Sequence, residues 1–367
     1  MLKLVLDALS FEAFPGGLPR PTRRGRGVAA VAPLWKSRTV QVVASLVLTG
    51  LLLALFLRQV RFRELGAALA SVSLPWLAFA TAVAISTFVM RAVRWTWILR
   101  PVGRVRLLPA FAATCVGFAG NNLPGKVGEV LRPAFLARSQ NLPFSPLLAS
   151  IVLERVLDGV SVVLFFGLAM GIGLPRSGGL GQLALPAAFM VVAASAVVFA
   201  VFQRARTEAF LDLFWRRLPH SLQPRVRTFA ASFIDGFAPL RDPALFLLVF
   251  GGSIAMWLVI NVQLYLLFVA LHVAIPFSAA FVVTTFAVLG LMVPTPGGLG
   301  SYHVAVQFAL TYFYGVPVAT ASAVALLAHA ISFLPVTVIG LGFLLAAPAR
   351  AASPPESLAA DPGTARH

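Results

Sequence analysis

Uncharged apolar runs long enough to cross a bilayer recur along this chain, and they limit its fold more than any other feature. Residues 39–57 carry no charge over 19 positions. At ~1.5 Å of rise per residue, a helix of that length reaches across a hydrocarbon core of about 30 Å. Comparable runs occupy 74–99, 147–172, 183–202, 244–271 and 318–346. Only 11% of the 367 residues are charged and 59% are hydrophobic, whereas a soluble chain carries about a quarter charged. The fold class is therefore an all-α polytopic membrane protein.

The charges that remain are strongly basic, 29 Lys and Arg against 12 Asp and Glu. Most lie between the apolar runs, so they read as cytoplasmic loops facing anionic lipid and not as a nucleic-acid surface. Residues 1–38 hold seven Lys/Arg and are expected to form a disordered cytoplasmic tail, with 1–14 as a short helix on the bilayer surface. Arg91 and Arg94 fall at the end of the 74–99 run, followed by Arg100, Arg104 and Arg106 without an acidic residue, and read as part of the same cytoplasmic face. Trp76 near one end of that run, and Trp95 and Trp97 near the other, suit the two interfaces.

Residues 203–242 hold seven Arg, with Phe210, Leu213 and Phe214, then Val226, Phe229, Phe233 and Phe237, at helical spacing. This segment reads as an amphipathic cytoplasmic linker inside a single transmembrane domain over 39–346. Residues 347–367 form a flexible tail. The topology that follows is multi-pass, with a cytoplasmic N-terminus. One cysteine, Cys115, excludes an intramolecular disulfide, and the five scattered histidines have no metal-ligand spacing. No metal or cofactor is expected.

Two polar breaks interrupt this apolar background. The first runs Gly120-Asn121-Asn122-Leu123-Pro124-Gly125-Lys126-Val127-Gly128-Glu129-Val130-Leu131-Arg132. The second is Pro294-Thr295-Pro296-Gly297-Gly298-Leu299-Gly300-Ser301. Aligned on Pro124 and Pro296, both read Pro-Gly-x-x-Gly, followed by Glu129 or Ser301. Irregular backbone at membrane depth is tolerated only where protein or a water-filled cavity satisfies its peptide groups, so each break points to a polar site. The apolar run before the first, 107–120, is too short to cross comfortably. We therefore expect two re-entrant hairpins, 107–137 and 277–315, beside six full spans; the alternative is eight crossing segments.

Charges inside spans need an explanation, because one at the bilayer centre costs at least ~2.5 kcal/mol. Glu154 and Asp158 are four residues apart and share a helix face, and Arg155 is placed to pair with Asp158. They read either as a salt-bridged cluster locking helices together or as the wall of a substrate cavity. Lys126 and Arg132 suit a phosphate, helped by backbone N–H groups at Gly125 and Gly128 and by neutral donors on Asn121 and Asn122. The alternative is that Asn and Gly only turn the chain while Lys126 snorkels to headgroups. His303 reads as a packing residue or a proton carrier, and His272 and His329 as packing residues. Asn261 and Gln263 read as interhelical hydrogen bonds. No nucleophile–base constellation is present, so an enzyme is not expected.

Asn-Asn-Leu-Pro-Gly-Lys-Val-Gly-Glu-Val-Leu-Arg (121–132), Glu-Arg-Val-Leu-Asp (154–158) and Pro-Thr-Pro-Gly-Gly-Leu-Gly (294–300) together resemble the flippase-like, lysylphosphatidylglycerol synthase transmembrane-region family, in order and in spacing. The resemblance covers roughly 40–345. It implies a protein of the inner (plasma) membrane that binds or moves lipids, and in bifunctional relatives this region translocates an aminoacylated phospholipid made by an attached domain. The 21 residues after the last span leave no room for such a domain here, so synthase activity is not expected. The motif positions it implies are Asn122, Pro124, Gly125, Gly128, Glu129, Arg132, Glu154, Arg155, Asp158, Pro296, Gly297, Gly298 and Gly300, with His303 beside them. The implied partners are membrane lipids with an anionic headgroup and an envelope-biosynthesis enzyme.

Overall fold

The computed structural model describes residues 38–124, 126–172 and 237–351. The expected tail 1–37, the span 183–202, most of the linker 203–242 and the end of the C-terminal tail fall outside them, as does Gly125. The described residues contain ten α-helices and no strand: α1 (Arg38–Leu57), α2 (Phe62–Ala70), α3 (Leu74–Ile98), α4 (Leu107–Gly120), α5 (Gly128–Gln140), α6 (Phe144–Ile172), α7 (Pro243–Ala270), α8 (Ser278–Met292), α9 (Ser301–Tyr314) and α10 (Val318–Ala351).

The helix limits follow from local chemistry. Pro75 stands in the first turn of α3, where its missing N–H costs nothing. The Asp242 carboxylate accepts hydrogen bonds from the N–H groups of Ala244 and Leu245 at the start of α7, satisfying donors that have no helical partner. Asn141 (φ 51°) and Gly315 (φ 65°) end α5 and α9 in the left-handed conformation, the usual way to stop a helix. The short helix α2, absent from the sequence reading, carries the exposed Arg61–Glu64 ion pair at 3.0 Å.

Four of these helices are long and apolar enough to cross a membrane: residues Val40–Leu57 of α1, then α3, α7 and Val318–Ala346 of α10. Helix α6 has the length, 29 residues, but carries Glu154, Arg155 and Asp158. Large apolar side chains such as Leu51, Leu247, Leu334 and Val338 are exposed, while Arg94, Arg132 and Glu154 are buried. Apolar outside and charged inside is the arrangement lipid selects. The chain is an all-α polytopic membrane protein.

Helices α4 and α5 pack on each other as one hairpin, and α8 and α9 as another. Their lengths are 14, 13, 15 and 14 residues, so each reaches only ~20–23 Å against a core of about 30 Å. Helices α3 and α7 pair antiparallel, closed at one end by the Ser73 N–H donating to the Ala270 carbonyl at 2.8 Å. Helix α10 packs against α4 and α9, and so contacts both hairpins.

Candidate functional site

Two constellations occupy the interior. The first is a network of buried charges. Helix α6 presents Glu154 and Asp158 on one face. Arg94 of α3 donates to Asp158 Oδ1 at 2.7 Å and lies 3.5 Å from Glu154 Oε1. Arg91, one turn earlier, reaches Asp158 Oδ2 at 3.1 Å and Glu154 Oε1 at 3.3 Å. Arg132 of α5 donates to Glu154 Oε1 at 2.8 Å. Arg155 donates to the same oxygen at 2.7 Å and stands 3.5 Å from Asp158 Oδ2. Helix α7 adds neutral partners: Ser253 Oγ accepts from Arg94 at 2.8 Å, and Trp257 Nε1 donates to Asp158 Oδ1 at 3.1 Å.

Aromatic faces complete the shell. The Arg132 guanidinium lies 4.0 Å from the centre of the Trp95 ring, and that of Arg91 5.2 Å from Phe118. Such stacking suits a planar, weakly hydrated cation. Trp95 Nε1 is in turn held by Ser150 Oγ at 2.8 Å. Glu154 is fully buried, and Arg155, with 42% of its side chain exposed, is the open member of the network. Glu129 and Lys126 act on Arg155 electrostatically from the first break, so the charged rim continues from the network toward the hairpin tip.

This network corrects the sequence reading of α3. Arg91 and Arg94 do not belong with Arg100, Arg104 and Arg106 on a cytoplasmic face; they are buried ion-pair partners of α6. Trp95 is likewise buried, not interfacial. The signal was present: two arginines three residues apart in an otherwise uncharged run, and a second run whose two carboxylates have only Arg155 beside them. Positive-inside bias explains arginines beyond a helix end and not those a turn or more within it.

The second constellation is the junction of the two breaks. The Gly297 N–H donates to the Asn121 carbonyl at 3.0 Å, a direct backbone bond between elements some 175 residues apart in the chain. Gly297 has φ 58°, and a Cβ on it would run into Asn122 Oδ1, so glycine is needed there for conformation and for space. Asn122 Nδ2 donates to Thr337 Oγ1 of α10 at 2.7 Å. The Gly297 carbonyl meets His329 Nε2 at 2.8 Å. Lys126, itself at φ 50°, donates to the Leu291 carbonyl at 2.9 Å and so satisfies the last turn of α8. Ser45 Oγ of α1 donates to the Pro294 carbonyl at 2.8 Å.

The remaining motif residues divide between structure and rim. Gly128 lies against α4, where a Cβ would overlap the Gly117 carbonyl; its role is close approach of the two legs. Pro124 is half-buried at the tip. Pro296, Gly297 and Gly298 form one buried 3-10 turn, and Gly300 packs on α1 at Thr49 and Leu52. Ser301 Oγ shares a 2.9 Å hydrogen bond with Thr295 Oγ1. His303 stands outside the charged network. It is buried between Phe56 and His329, with ring centres 5.3 and 4.8 Å away and no hydrogen bond to Nδ1. His329, read from sequence as packing, is the histidine that contacts the break. Gln263 donates to Ser332 of another helix as expected, but Asn261 donates to Trp257 of its own.

Comparison with known proteins adds three findings. The family described as the lysylphosphatidylglycerol synthase TM region matches residues 42–340. A protein named glycosyltransferase AglD from Haloferax volcanii is 28% identical over 344 residues, covering 84% of this chain and 55% of its own length. A UPF0104 membrane protein from Methanothermobacter thermautotrophicus is 28% identical over 286 residues, covering 73% of this chain and 83% of its own length. The chain thus spans about half of the first relative and most of the second.

Proposed function

The chain belongs to the lysylphosphatidylglycerol synthase transmembrane-region family, and on that premise we propose that it is a lipid transporter of the inner membrane, with a cytoplasmic N-terminus, that takes a phosphate-bearing headgroup between leaflets. The observation that carries this reading is the double attachment of the first hairpin. Its tip is bonded to the second break through Asn121 and Gly297, and one turn into its return helix Arg132 is ion-paired to Glu154. A displacement of the hairpin junction is therefore mechanically tied to the charged network. Lys126, Arg132 and Arg155 neutralise the phosphate; Glu129, Glu154 and Asp158 balance those cations and are the groups available to a coupling proton. The acyl tails stay in lipid while the headgroup is shielded, which removes the cost of carrying a charge through hydrocarbon. Nothing among these residues has the geometry of a nucleophile and its base, so the reading is transport and not catalysis.

The test is the lipid that stays with the protein. Native mass spectrometry of the purified chain should find a phosphate-bearing lipid bound, and Arg155→Gln should lose it while still inserting and folding. Retention of the same lipid by Arg155→Gln at the wild-type level would contradict the assignment.

A second reading is favoured by one relative. That relative is named a glycosyltransferase and this chain spans about half of it, so the shared half would present a lipid-linked substrate to an envelope enzyme. Co-purification with such an enzyme, and no lipid movement by the chain alone, would favour this over transport.

A further inference from the structure

The charged network is not neutral. At its buried end, Arg91, Arg94 and Arg132 face only Glu154 and Asp158, which leaves one positive charge in excess. At its open end, Arg155 shares Glu154 and Asp158 with them, and Arg155 and Lys126 add only Glu129, so five cations stand against three carboxylates and the excess is two. Among the described residues no other carboxylate forms an ion pair with Arg91, Arg94, Arg132 or Arg155. Two uncompensated positive charges inside a membrane protein are costly unless something of opposite sign completes the site.

The hydrogen-bonding atoms point the same way. Arg91 Nε, Arg94 Nε, and Arg132 Nε and Nη2 are buried and make no hydrogen bond. Arg94 and Arg132 are 1% and 3% exposed, so these donors are not turned to bulk water. The guanidinium groups have spent one edge on the carboxylates and keep other N–H groups for an acceptor. A planar fork of N–H donors matches the oxygens of a phosphate. The one buried acceptor left over in the network, Glu154 Oε2, suits the single proton or hydroxyl that a phosphate monoester or its neighbour would bring.

Resting on the lipid-handling reading above, we infer that this site selects a headgroup carrying two negative charges, a terminal phosphate monoester or a pyrophosphate, over the singly charged phosphodiester of ordinary phospholipids. A phosphodiester cancels one of the two excess charges and leaves the other without a counter-charge; a dianion cancels both and offers more oxygens to the free guanidinium edges. A terminal phosphate has its second ionisation near pH ~6, and four guanidinium groups around it hold it in the dianionic form.

The experiment measures binding of short-chain phosphatidic acid, phosphatidylglycerol and phosphatidylethanolamine to the detergent-purified full chain, with inorganic pyrophosphate as competitor. Phosphatidic acid should bind at least about tenfold more tightly than phosphatidylglycerol, a difference of ~1.4 kcal/mol. Arg155→Gln, at the most exposed member of the network, removes one excess charge and should bring the two affinities within a few-fold; Arg61→Gln should keep the wild-type ratio. Equal or tighter binding of phosphatidylglycerol by the wild-type chain overturns the selectivity while leaving lipid handling intact. Failure of all three lipids to bind overturns lipid handling itself. Pyrophosphate that binds as tightly as phosphatidic acid shows that the lipid tails add nothing, which assigns the site to a soluble anion and overturns lipid handling.

Discussion

The two hairpins have the same layout and are held by different forces. Each joins two helices too short to cross the core through Pro-Gly-x-x-Gly, and each tip touches the other. The first is built on charge: Lys126, Glu129 and Arg132 all come from its tip and first return turn, and Arg132 docks on Glu154. The second has no charged residue between Ser278 and Tyr314. It is anchored by its backbone, through the Gly297 N–H and carbonyl and the Pro294 carbonyl. The aligned position after the motif shows the division in one residue. Glu129 is half-buried at the charged rim, while Ser301 is buried and hydrogen-bonded within its own turn. One hairpin carries the electrostatics and the other the geometry against which it is positioned.

The largest effect should come from Glu154→Gln. It strips three buried arginines of a shared partner, and breaking a buried ion pair costs ~3–5 kcal/mol. Thermal unfolding in detergent should show a midpoint drop larger than for any change in the second hairpin. A shift no greater than that of Arg61→Gln, an exposed pair, would mean the first hairpin does not depend on charge. Gly128→Ala comes next. Its Cβ overlaps the Gly117 carbonyl, and overpacking costs ~1–3 kcal/mol. Gly297→Ala should cost about 1–2 kcal/mol from the left-handed conformation alone, with a clash against Asn122 added, and should lower the same unfolding midpoint. If Gly297→Ala were neutral, the backbone account of the second hairpin would fail.

The smallest effects sharpen the contrast at the aligned pair. Ser301→Ala removes the buried hydrogen bonds of Ser301 to Thr295 and to the Gly298 carbonyl and should cost ~0.5–1.5 kcal/mol with bound lipid retained. Glu129→Gln should leave the unfolding midpoint within about 0.5 kcal/mol of wild type, as surface-rim changes do, yet alter the amount of co-purifying lipid. A reversal of these two outcomes would show that the aligned positions have exchanged roles.

The sequence made one hairpin more legible than the other. The first break announces its chemistry, because lysine, glutamate and arginine beside glycine in an apolar chain require an explanation. Glu154 and Asp158 stand out for the same reason. The limits of α4, and those of α8 to within a residue, were readable from where apolar runs meet proline and glycine. Arg91 and Arg94 were legible only in part: their place a turn or more inside an apolar run marks them as needing partners, but only the neighbouring helix decides which. His329 was illegible. Its partner is a backbone carbonyl, Gly297, which leaves no mark on sequence pattern.

The central claim is that a phosphate-bearing lipid crosses the bilayer by way of this charged network. Its most direct test is a leaflet-specific assay in proteoliposomes containing a tail-labelled phosphatidic acid, comparing wild type, Arg155→Gln and protein-free vesicles. The account predicts rapid access of the label to both leaflets with wild type, and rates close to protein-free vesicles with Arg155→Gln. Equal translocation by the two proteins, each equally inserted, would contradict it.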